Sequence, residues 1–352
     1  MESSLNTSSK SIAIWLLIGV GMIIIQVMLG GITRLTESGL SITEWKPLTG
    51  ILPPLNDNQW QIEFDKYKTT DQFRYIHADF RLGDFKTIFF WEWLHRLWAR
   101  LLGVVFIIGF VYFLITKKLR KEMINPMIIL FLLGAMQGIV GWIMVKSGLV
   151  PEKLFVGHIQ LTTHFIAALI LLAYTIWFAL SLLIPKEKFV LNSGLRKITI
   201  SVLIVLTIQL IYGAFMSGLK AATAAPTWPD INGAIIPDGI NDLSPWLSNL
   251  IDNKIMVHFV HRGLAYLLVI MIFLWWLKAK NIKGNFLFNK TEWLPLALIL
   301  IQVLLGILTV ITSPYGNNLI WFGVAHQFTA MIFLIIMIFM LFIIRSKKGV
   351  HL

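Results

Sequence analysis

The stretch Glu92–Arg100, Glu-Trp-Leu-His-Arg-Leu-Trp-Ala-Arg, decides the fold of this chain, because an apolar run follows it without a break from Leu101 to Ile115. Glu92 and His95 stand three residues apart, a spacing that puts both side chains on one face of a helix. Ionisable groups inside a membrane span are costly, and they usually point at a cofactor, a cavity or a partner. The stretch therefore predicts a transmembrane helix that carries a functional face.

The composition of the whole chain places it in a membrane. Of its 352 residues, 57% are hydrophobic and only 14% are charged. The mean hydropathy of +0.76 is far outside the range of a soluble globular protein. The chain has no cysteine, which excludes disulfides, thiolate metal sites and cysteine nucleophiles. Any bound metal must therefore be held by histidine or carboxylate.

Eight apolar runs are each long enough to span a bilayer, which takes roughly 20 residues. They are Ile12–Gly30, Ile88–Ile115, Met127–Val145, Ile159–Ile184, Ile198–Phe215, Ile255–Leu277, Trp293–Ile311 and Leu319–Ile344. The first run has no small-residue cleavage site, so we expect it to be retained. We predict an all-α integral membrane protein with eight transmembrane helices.

The net charge of +12 is explained by topology. The basic residues cluster in the connections after the second, fourth and sixth runs and in the tail: Lys117, Lys118, Arg120, Lys121, Lys186, Lys188, Arg196, Lys197, Lys278, Lys280, Lys283, Lys290, Arg345, Lys347 and Lys348. By the positive-inside rule these segments and both termini face the cytoplasm or matrix. We therefore expect no nucleic-acid partner.

Two long connections, residues 31–87 and 217–254, lie on the opposite side of the membrane and are rich in Trp, Pro, Gly and Asp. Connections of this length without strong periodicity usually serve a function. We expect both to fold down over the outer ends of the helices.

The chain contains an internal duplication. The pattern Gln-x-x-x-Gly marks the odd-numbered runs at Gln26/Gly30, Gln137/Gly141, Gln209/Gly213 and Gln302/Gly306, and the even-numbered runs match His95 with His261 and His164 with His326. From the first to the fourth helix of a half, the copies are offset by 183, 166, 165 and 162 residues. With four spans in each half, both copies begin on the same side of the membrane. We predict two pseudo-symmetric four-helix bundles, residues 1–184 and 185–352.

Each half offers one histidine from its second helix and one from its fourth, all near the outer end of their spans. Two imidazoles from facing helices of a bundle, in a chain without thiolates, are the ligands expected for a heme iron in an apolar slot. We therefore predict two heme pockets, one on His95 and His164 and one on His261 and His326. The alternative is that each histidine only forms a hydrogen bond to a neighbouring helix. The occurrence of four histidines at duplicated positions and at one depth disfavours this alternative.

The residues around the histidines leave alternatives open. The Gln-x-x-x-Gly pattern favours close helix packing, because glycine lets helices approach and Gln can bond across an interface. Arg96 and Arg262 either pair with heme propionates, since arginine binds carboxylates bidentately, or extend towards the outer interface.

One ionisable position differs between the copies: the counterpart of Glu92 in the second half is His258. This difference indicates that one copy holds a fixed cofactor and the other performs chemistry. We expect chemistry in the half with the carboxylate, because a buried Glu can move a proton or stabilise positive charge. The alternative is a plain ion pair between Glu92 and Arg96 on an exposed helix end.

Several motifs resemble those of the heme A synthase family, and the resemblance covers nearly the whole chain. They are Gly30–Ser41 (GGITRLTESGLS), Glu44–Pro47 (EWKP), Pro53–Pro54, Glu92–Arg96, His261–Arg262 and His326–Gln327. One branch of that family carries a cysteine pair in the first outer connection. This chain resembles the branch without it.

The resemblance implies a membrane oxidoreductase that oxidises the C8 methyl of heme O to a formyl group by successive hydroxylations, giving heme A for cytochrome oxidase. It also implies that His261 and His326 hold a heme B cofactor, that His95 and His164 face the substrate heme, and that Glu92 is a catalytic carboxylate. The expected partners are heme O synthase and an electron acceptor in the membrane, and a homo-oligomer stays open.

The residues alone leave a second class open, a di-heme bis-His electron-transfer cytochrome, which keeps two permanent hemes where a synthase keeps one. A transporter is disfavoured, because the helices are almost purely apolar at mid-depth. The N-terminus has no basic amphipathic presequence, which favours a bacterial plasma membrane over a mitochondrial inner membrane.

Overall fold

The structure is a computed structural model that describes residues 7–45 and 49–346. Within these residues, eight helices are long and apolar enough to cross a membrane. This confirms the prediction of an eight-span, all-α membrane protein. Lys46 and Pro47 of the EWKP motif, the basic tail residues Lys347 and Lys348, and the last histidine, His351, lie outside the described residues.

The helices extend beyond most of the apolar runs, because polar residues continue a helix past the hydrocarbon layer. The α-helices are α1 (Thr7–Leu35), α2 (Asp57–Lys68), α3 (Asp71–Ile76), α4 (Leu82–Ile115), α5 (Lys121–Gly148), α6 (His158–Leu183), α7 (Ser193–Gly218), α8 (Asn249–Asp252), α9 (Lys254–Ala279), α10 (Phe286–Thr291), α11 (Leu294–Ile311) and α12 (Asn317–Ile343). Two short strands, β1 (Val190–Leu191) and β2 (Ile344–Arg345), pair in parallel.

The eight long helices pack both within each half of the chain and between the halves. In the N-terminal half α1 packs on α4 and α6, and α5 packs on α6. In the C-terminal half α7 packs on α9 and α12, and α11 packs on α9 and α12. The halves meet where α1 contacts α12 and where α6 contacts α7 and α12. The fourth helix of each half therefore lies at the centre of the molecule, and α6 and α12 are the most buried spans.

The first outer connection corrects the sequence interpretation. Since α1 continues to Leu35 and α4 begins at Leu82, the connection is shorter than residues 31–87, and it contains α2 and α3. The side chains of Asn56 and Thr70 accept backbone N–H groups at the starts of these two helices, the usual role of such residues at an N-cap. The periodicity of this polar segment is too weak for the pattern to reveal helices of this length.

This connection folds onto the outer end of α4, as expected. Phe64 and Tyr67 of α2 pack with Phe85, Ile88 and Phe89 of α4 in one apolar cluster. The Phe64 and Phe85 rings stack with their centroids 5.1 Å apart. The second connection also starts later than predicted, because α7 continues to Gly218, and it contains α8 and short 3-10 turns.

Candidate functional site

The four repeated histidines each face a glycine of the Gln-x-x-x-Gly pattern. A Cβ atom built on Gly30 would lie 3.4 Å from the His95 imidazole, and one on Gly213 would lie 3.4 Å from His261. The clearance is smaller in the other two cases. A Cβ on Gly141 would lie 2.8 Å from His164, and one on Gly306 would lie 2.9 Å from His326.

The glycines of this pattern therefore serve helix packing, as predicted, and the structure shows which side chains they pack against. The missing side chains make room for imidazoles rather than for a bare helix backbone. Each odd-numbered span supplies the seat for a histidine of an even-numbered span, once in each of the four helix pairs.

In the C-terminal half the two histidines face each other. The His261 and His326 ring centroids are 6.5 Å apart, with the ring planes at 70°. His326 Nδ1 lies 3.0 Å from the carbonyl oxygen of Gln302, so Nδ1 carries the proton and Nε2 keeps its lone pair. The side-chain amides of Gln209 and Gln302 approach the Nε2 atoms of His261 and His326 at 3.4 and 3.3 Å.

The N-terminal half has a related arrangement with different hydrogen bonds. His95 of α4 lies within electrostatic range of His164 of α6. The Gln137 amide donates to the backbone oxygen of His164 at 3.0 Å, rather than to its ring. The Nδ1 atom of His164 is buried without a hydrogen-bond partner among the described residues.

These residues fit a heme. Two metal–imidazole bonds of about 2 Å put the ligating nitrogens about 4 Å apart and the ring centres roughly 6 Å apart, close to the 6.5 Å between His261 and His326. The described residues hold no group of three or more His, Cys, Asp or Glu side chains that would cage a bare metal ion. A hydrogen bond from Nδ1 to a carbonyl is the usual way to orient a ligating histidine.

Glu92 is buried at the outer end of α4, with 2% of its surface exposed. Its Oε1 accepts a 2.6 Å bond from Arg96, while Oε2 accepts from the Ser41 hydroxyl at 2.7 Å and from the Ile42 N–H at 2.8 Å. The ion pair with Arg96 that was considered as an alternative is present. It lies in a buried site, however, and not on an exposed helix end. Three donors fix the carboxylate one helical turn from His95.

The two repeated arginines bind the outer connections. Arg96 donates to the backbone oxygens of Ile42 at 3.0 Å and Glu44 at 3.2 Å. Arg262 donates to those of Thr227 at 2.6 Å and Asp230 at 2.7 Å, with longer contacts to Ala225 and Pro229.

The sequence interpretation considered heme propionates and the outer interface as partners of Arg96 and Arg262. In the structure both guanidinium groups donate to backbone carbonyls, because an arginine at a helix end can satisfy several unpaired oxygens of an overlying loop at once. Arg262 also donates from Nε to His258 Nε2 at 3.0 Å. Glu92 and His258 thus each accept a hydrogen bond from the arginine four residues later.

A third set of residues joins the two halves at their outer ends and was not predicted as a unit. Arg34 donates to the carbonyls of Ser217 and Gly218 at 2.8 and 3.0 Å, and Lys220 forms an ion pair with Glu37. Ser217 and Lys220 follow Arg34 and Glu37 by 183 residues, the offset of the first helices. Equivalent positions of two repeats meet in this way at a two-fold axis. The repeat offset of 183 residues was therefore the sequence signal that could have revealed these contacts.

Glu37 also accepts from His77 Nε2, 3.5 Å away. The hydrogen bond from His77, followed by the Lys220 ammonium, lowers the pKa of the Glu37 carboxyl to about 2. On its other side the His77 ring bonds the Tyr67 hydroxyl at 2.6 Å. The non-repeating His158 instead pairs with Asp252 at 3.1 Å, so neither His77 nor His158 joins the histidine pairs.

Known proteins are similar to this chain over almost its full length. Residues 13–338 match the family described as cytochrome oxidase assembly protein. The heme A synthase of Parvibaculum lavamentivorans is 40% identical over 321 residues, covering 90% of each chain. That of Flavobacterium psychrophilum is 41% identical over 337 residues, covering 93% of this chain and 96% of the relative.

A further heme A synthase, from Rhodopseudomonas palustris BisB18, is 46% identical over 261 residues, covering 73% of this chain and 71% of the relative. The chain therefore belongs to the heme A synthase family of membrane oxidoreductases.

Proposed function

We propose that the two halves divide the work: His261 and His326 hold a heme B cofactor, and His95 and His164 receive the substrate. Membership of the heme A synthase family implies heme O as that substrate. The observation that carries the proposal is the pair of facing imidazoles in the C-terminal half, 6.5 Å apart between ring centroids. In the N-terminal half the Gln137 amide binds the backbone oxygen of His164 rather than its ring, which suits an imidazole that receives a ligand and releases it.

A bound heme B supplies a redox-active iron that exchanges single electrons. The protein supplies the geometry. The Gln302 carbonyl orients His326 through Nδ1, and Gly213 and Gly306 let both imidazoles lie close against neighbouring helices. Apolar spans keep water away from the site, which strengthens every electrostatic interaction inside it.

We propose Glu92 as the catalytic carboxylate of the N-terminal half. Converting a methyl to a formyl group removes electrons and protons from the substrate, so a fixed negative charge beside it can stabilise positive charge and accept a proton. Ser41, Ile42 and Arg96 hold the carboxylate in one orientation. In the C-terminal half His258 stands at the equivalent position, where a bound cofactor needs no such group.

The assignment of the cofactor is tested by His261→Ala and His326→Ala. Each variant should lose the b-type reduced-minus-oxidised spectrum of the purified protein, because one axial ligand is missing. His158→Ala is the matched control: it removes an imidazole from the outer end of α6 that pairs with Asp252, and it should keep the spectrum. An unchanged spectrum in both ligand variants would sink the assignment.

The assignment of Glu92 is tested by Glu92→Gln, which keeps size and removes the charge. Loss of a general acid–base group typically lowers a rate about 10²–10⁴-fold, so heme O should accumulate at the expense of heme A while the b-type spectrum remains. Ser41→Ala is the control, because it removes one of the three donors and leaves the carboxylate. If both variants make near-normal heme A, Glu92 only ties the first connection to α4.

The remaining assignments follow from topology and chemistry. We propose residues 1–184 as the substrate half and residues 185–352 as the cofactor half, in a bacterial plasma membrane with both termini in the cytoplasm. Heme O synthase and a membrane electron acceptor are the proposed partners. A pull-down between differently tagged copies in mild detergent would show whether the chain forms a homo-oligomer.

A further inference from the structure

The N-terminal half contains a cavity of about 270 Å³ on the inner side of its histidine pair. Its walls include Gly19 of α1, Leu102 and Gly103 of α4, Gly134 of α5 and Leu171 of α6. The α4 and α6 residues follow His95 and His164 along their helices. The lining also includes Ala99, so the cavity begins about one turn below the His95 imidazole and extends towards the cytoplasm.

The wall of this cavity is almost entirely apolar. At its inner end the rings of Trp15 and Phe106 stack, with centroids 5.5 Å apart. The Trp15 indole N–H is satisfied by the backbone oxygen of Val105 at 3.3 Å. The Thr175 hydroxyl, also in the wall, donates to the backbone oxygen of Leu171 at 2.7 Å. These polar side chains are satisfied within the protein, so the cavity suits an apolar ligand.

The equivalent space in the C-terminal half is filled by larger side chains. Applying the repeat offsets, Gly19, Gly103, Gly134, Leu171 and Thr175 correspond to Val202, Val269, Ile299, Phe333 and Met337. Val202, Ile299, Phe333 and Met337 are fully buried in the core. The two halves therefore share the histidine pairs and differ in the volume beneath them.

The cavity also reaches the lipid-facing surface. In the C-terminal half α9 packs against α11, whereas in the described part of the chain α4 and α5 make at most marginal contact. Ile107 of α4 and Phe131 of α5 line the cavity, and they are 53% and 54% exposed. The gap between these two helices opens the cavity towards the acyl chains.

We propose that this cavity holds the isoprenoid chain of the substrate heme. The proposal rests on the function proposed for His95 and His164. Heme O differs from heme B by a long hydroxyethylfarnesyl side chain in place of a vinyl group, so a substrate pocket needs an apolar space that a heme B pocket does not. The N-terminal half, which carries Glu92, has this apolar space. In the C-terminal half larger side chains occupy the corresponding positions.

The cavity serves selection more than binding strength. The chain of heme O is already in an apolar environment when it lies in the bilayer, so transfer into the protein gains packing rather than hydrophobic free energy. A heme without the chain leaves the cavity unfilled and forfeits those contacts. The N-terminal half thereby favours heme O over heme B.

The test fills the cavity with the side chains of the other half. In Gly103→Val/Gly134→Ile each new residue copies its repeat partner, and a Cβ at either glycine meets no atom within 4 Å, so the backbone need not move. Gly138→Val is the matched control. It lies on α5, also has no atom within 4 Å of a Cβ, and does not line the cavity.

Purified protein carrying its b-type heme is titrated with heme O and, separately, with heme B. The N-terminal signal is the part that His95→Ala abolishes. We expect the filled variant to bind heme O about tenfold more weakly or worse, the range in which an apolar pocket discriminates, with heme B binding unchanged. Gly138→Val should match the wild type for both hemes.

Three outcomes overturn the proposal. Unchanged heme O binding in the filled variant shows that the chain lies elsewhere, and equal loss of both hemes shows general damage to the site. If neither heme gives a signal that depends on His95, the proposed substrate site itself is wrong. Retention of the b-type spectrum checks folding, and the milder Gly134→Ala should fall between wild type and the double variant.

Discussion

Gly306→Ala should displace a heme ligand by adding a single methyl group. A Cβ at position 306 would stand 2.9 Å from Cε1 of His326, whereas ordinary contact begins at 3.4 Å. The imidazole or the helix must therefore yield by about half an ångström. At Gly213 the same substitution starts from 3.4 Å to His261, so the ring can stay in place. The two variants differ in clearance and hardly at all in chemistry.

The displacement is large for a metal ligand. A functional site must be held to within about 0.5 Å of its productive geometry, and changes beside a metal ligand typically cost 10–100-fold in affinity. The shift would also lengthen the 3.0 Å bond between His326 Nδ1 and the Gln302 carbonyl, which orients the ring. We therefore expect about 10–100-fold weaker heme retention in Gly306→Ala and little change in Gly213→Ala.

The assay is the heme content per protein after purification, followed by titration of the stripped protein and reduced-minus-oxidised spectra. The N-terminal half offers a second comparison, because Gly141 leaves 2.8 Å to His164 and Gly30 leaves 3.4 Å to His95. There the ordering should appear in heme A output. Equal heme retention in Gly306→Ala and Gly213→Ala, or a larger loss in Gly213→Ala, would refute the seating of the imidazoles on these glycines.

Two other predictions concern the outer contacts. Arg262→Met keeps the apolar stem and removes the donors to four backbone carbonyls of the second outer connection. Limited proteolysis should therefore cut this connection faster, while the b-type spectrum is retained. Equal cutting rates in wild type and variant would argue that Arg262 does not hold the connection in place. The fall of the Glu37 pKa from 4.5 to about 2 corresponds to about 3.5 kcal/mol, because one pKa unit is worth about 1.4 kcal/mol. Since water screens this partly exposed carboxyl, Glu37→Gln should lower the free energy of unfolding at pH 7 by about 2–3 kcal/mol. A carboxyl group whose pKa is lower in the folded protein stabilises the protein at pH values above its unfolded-state pKa. This stabilisation is lost as the pH falls through the folded-state pKa. The difference in stability between wild type and Glu37→Gln should therefore vanish between about pH 4.5 and 2. Denaturant unfolding in mixed micelles measures it, with the exposed Glu122→Gln as control; a pH-independent difference would contradict the ion-pair explanation.

The spans and the histidines could be predicted because their signals are local. An apolar run of about 20 residues has few alternatives to crossing a bilayer, and the offsets of His95 to His261 and of His164 to His326 are visible in the sequence alone. The helices of the first connection were missed for the opposite reason. Their apolar side chains, such as Phe64 and Tyr67, are few, and they pack in a small cluster against α3 and the outer end of α4, so no long periodic pattern marks them.

The sequence by itself determined the membrane class, the eight helices, the duplication and the ionisable residues that set the two halves apart. Only the tertiary structure decided which glycine seats which imidazole, that Arg96 and Arg262 bind loop carbonyls, and that Glu37 meets Lys220 between the halves. Helical periodicity specifies which face of a helix a residue occupies. It does not specify the rotation and distance of the neighbouring helix. These decide whether the space beside a glycine is filled by a histidine, as at Gly306, or stays open as a cavity, as at Gly134.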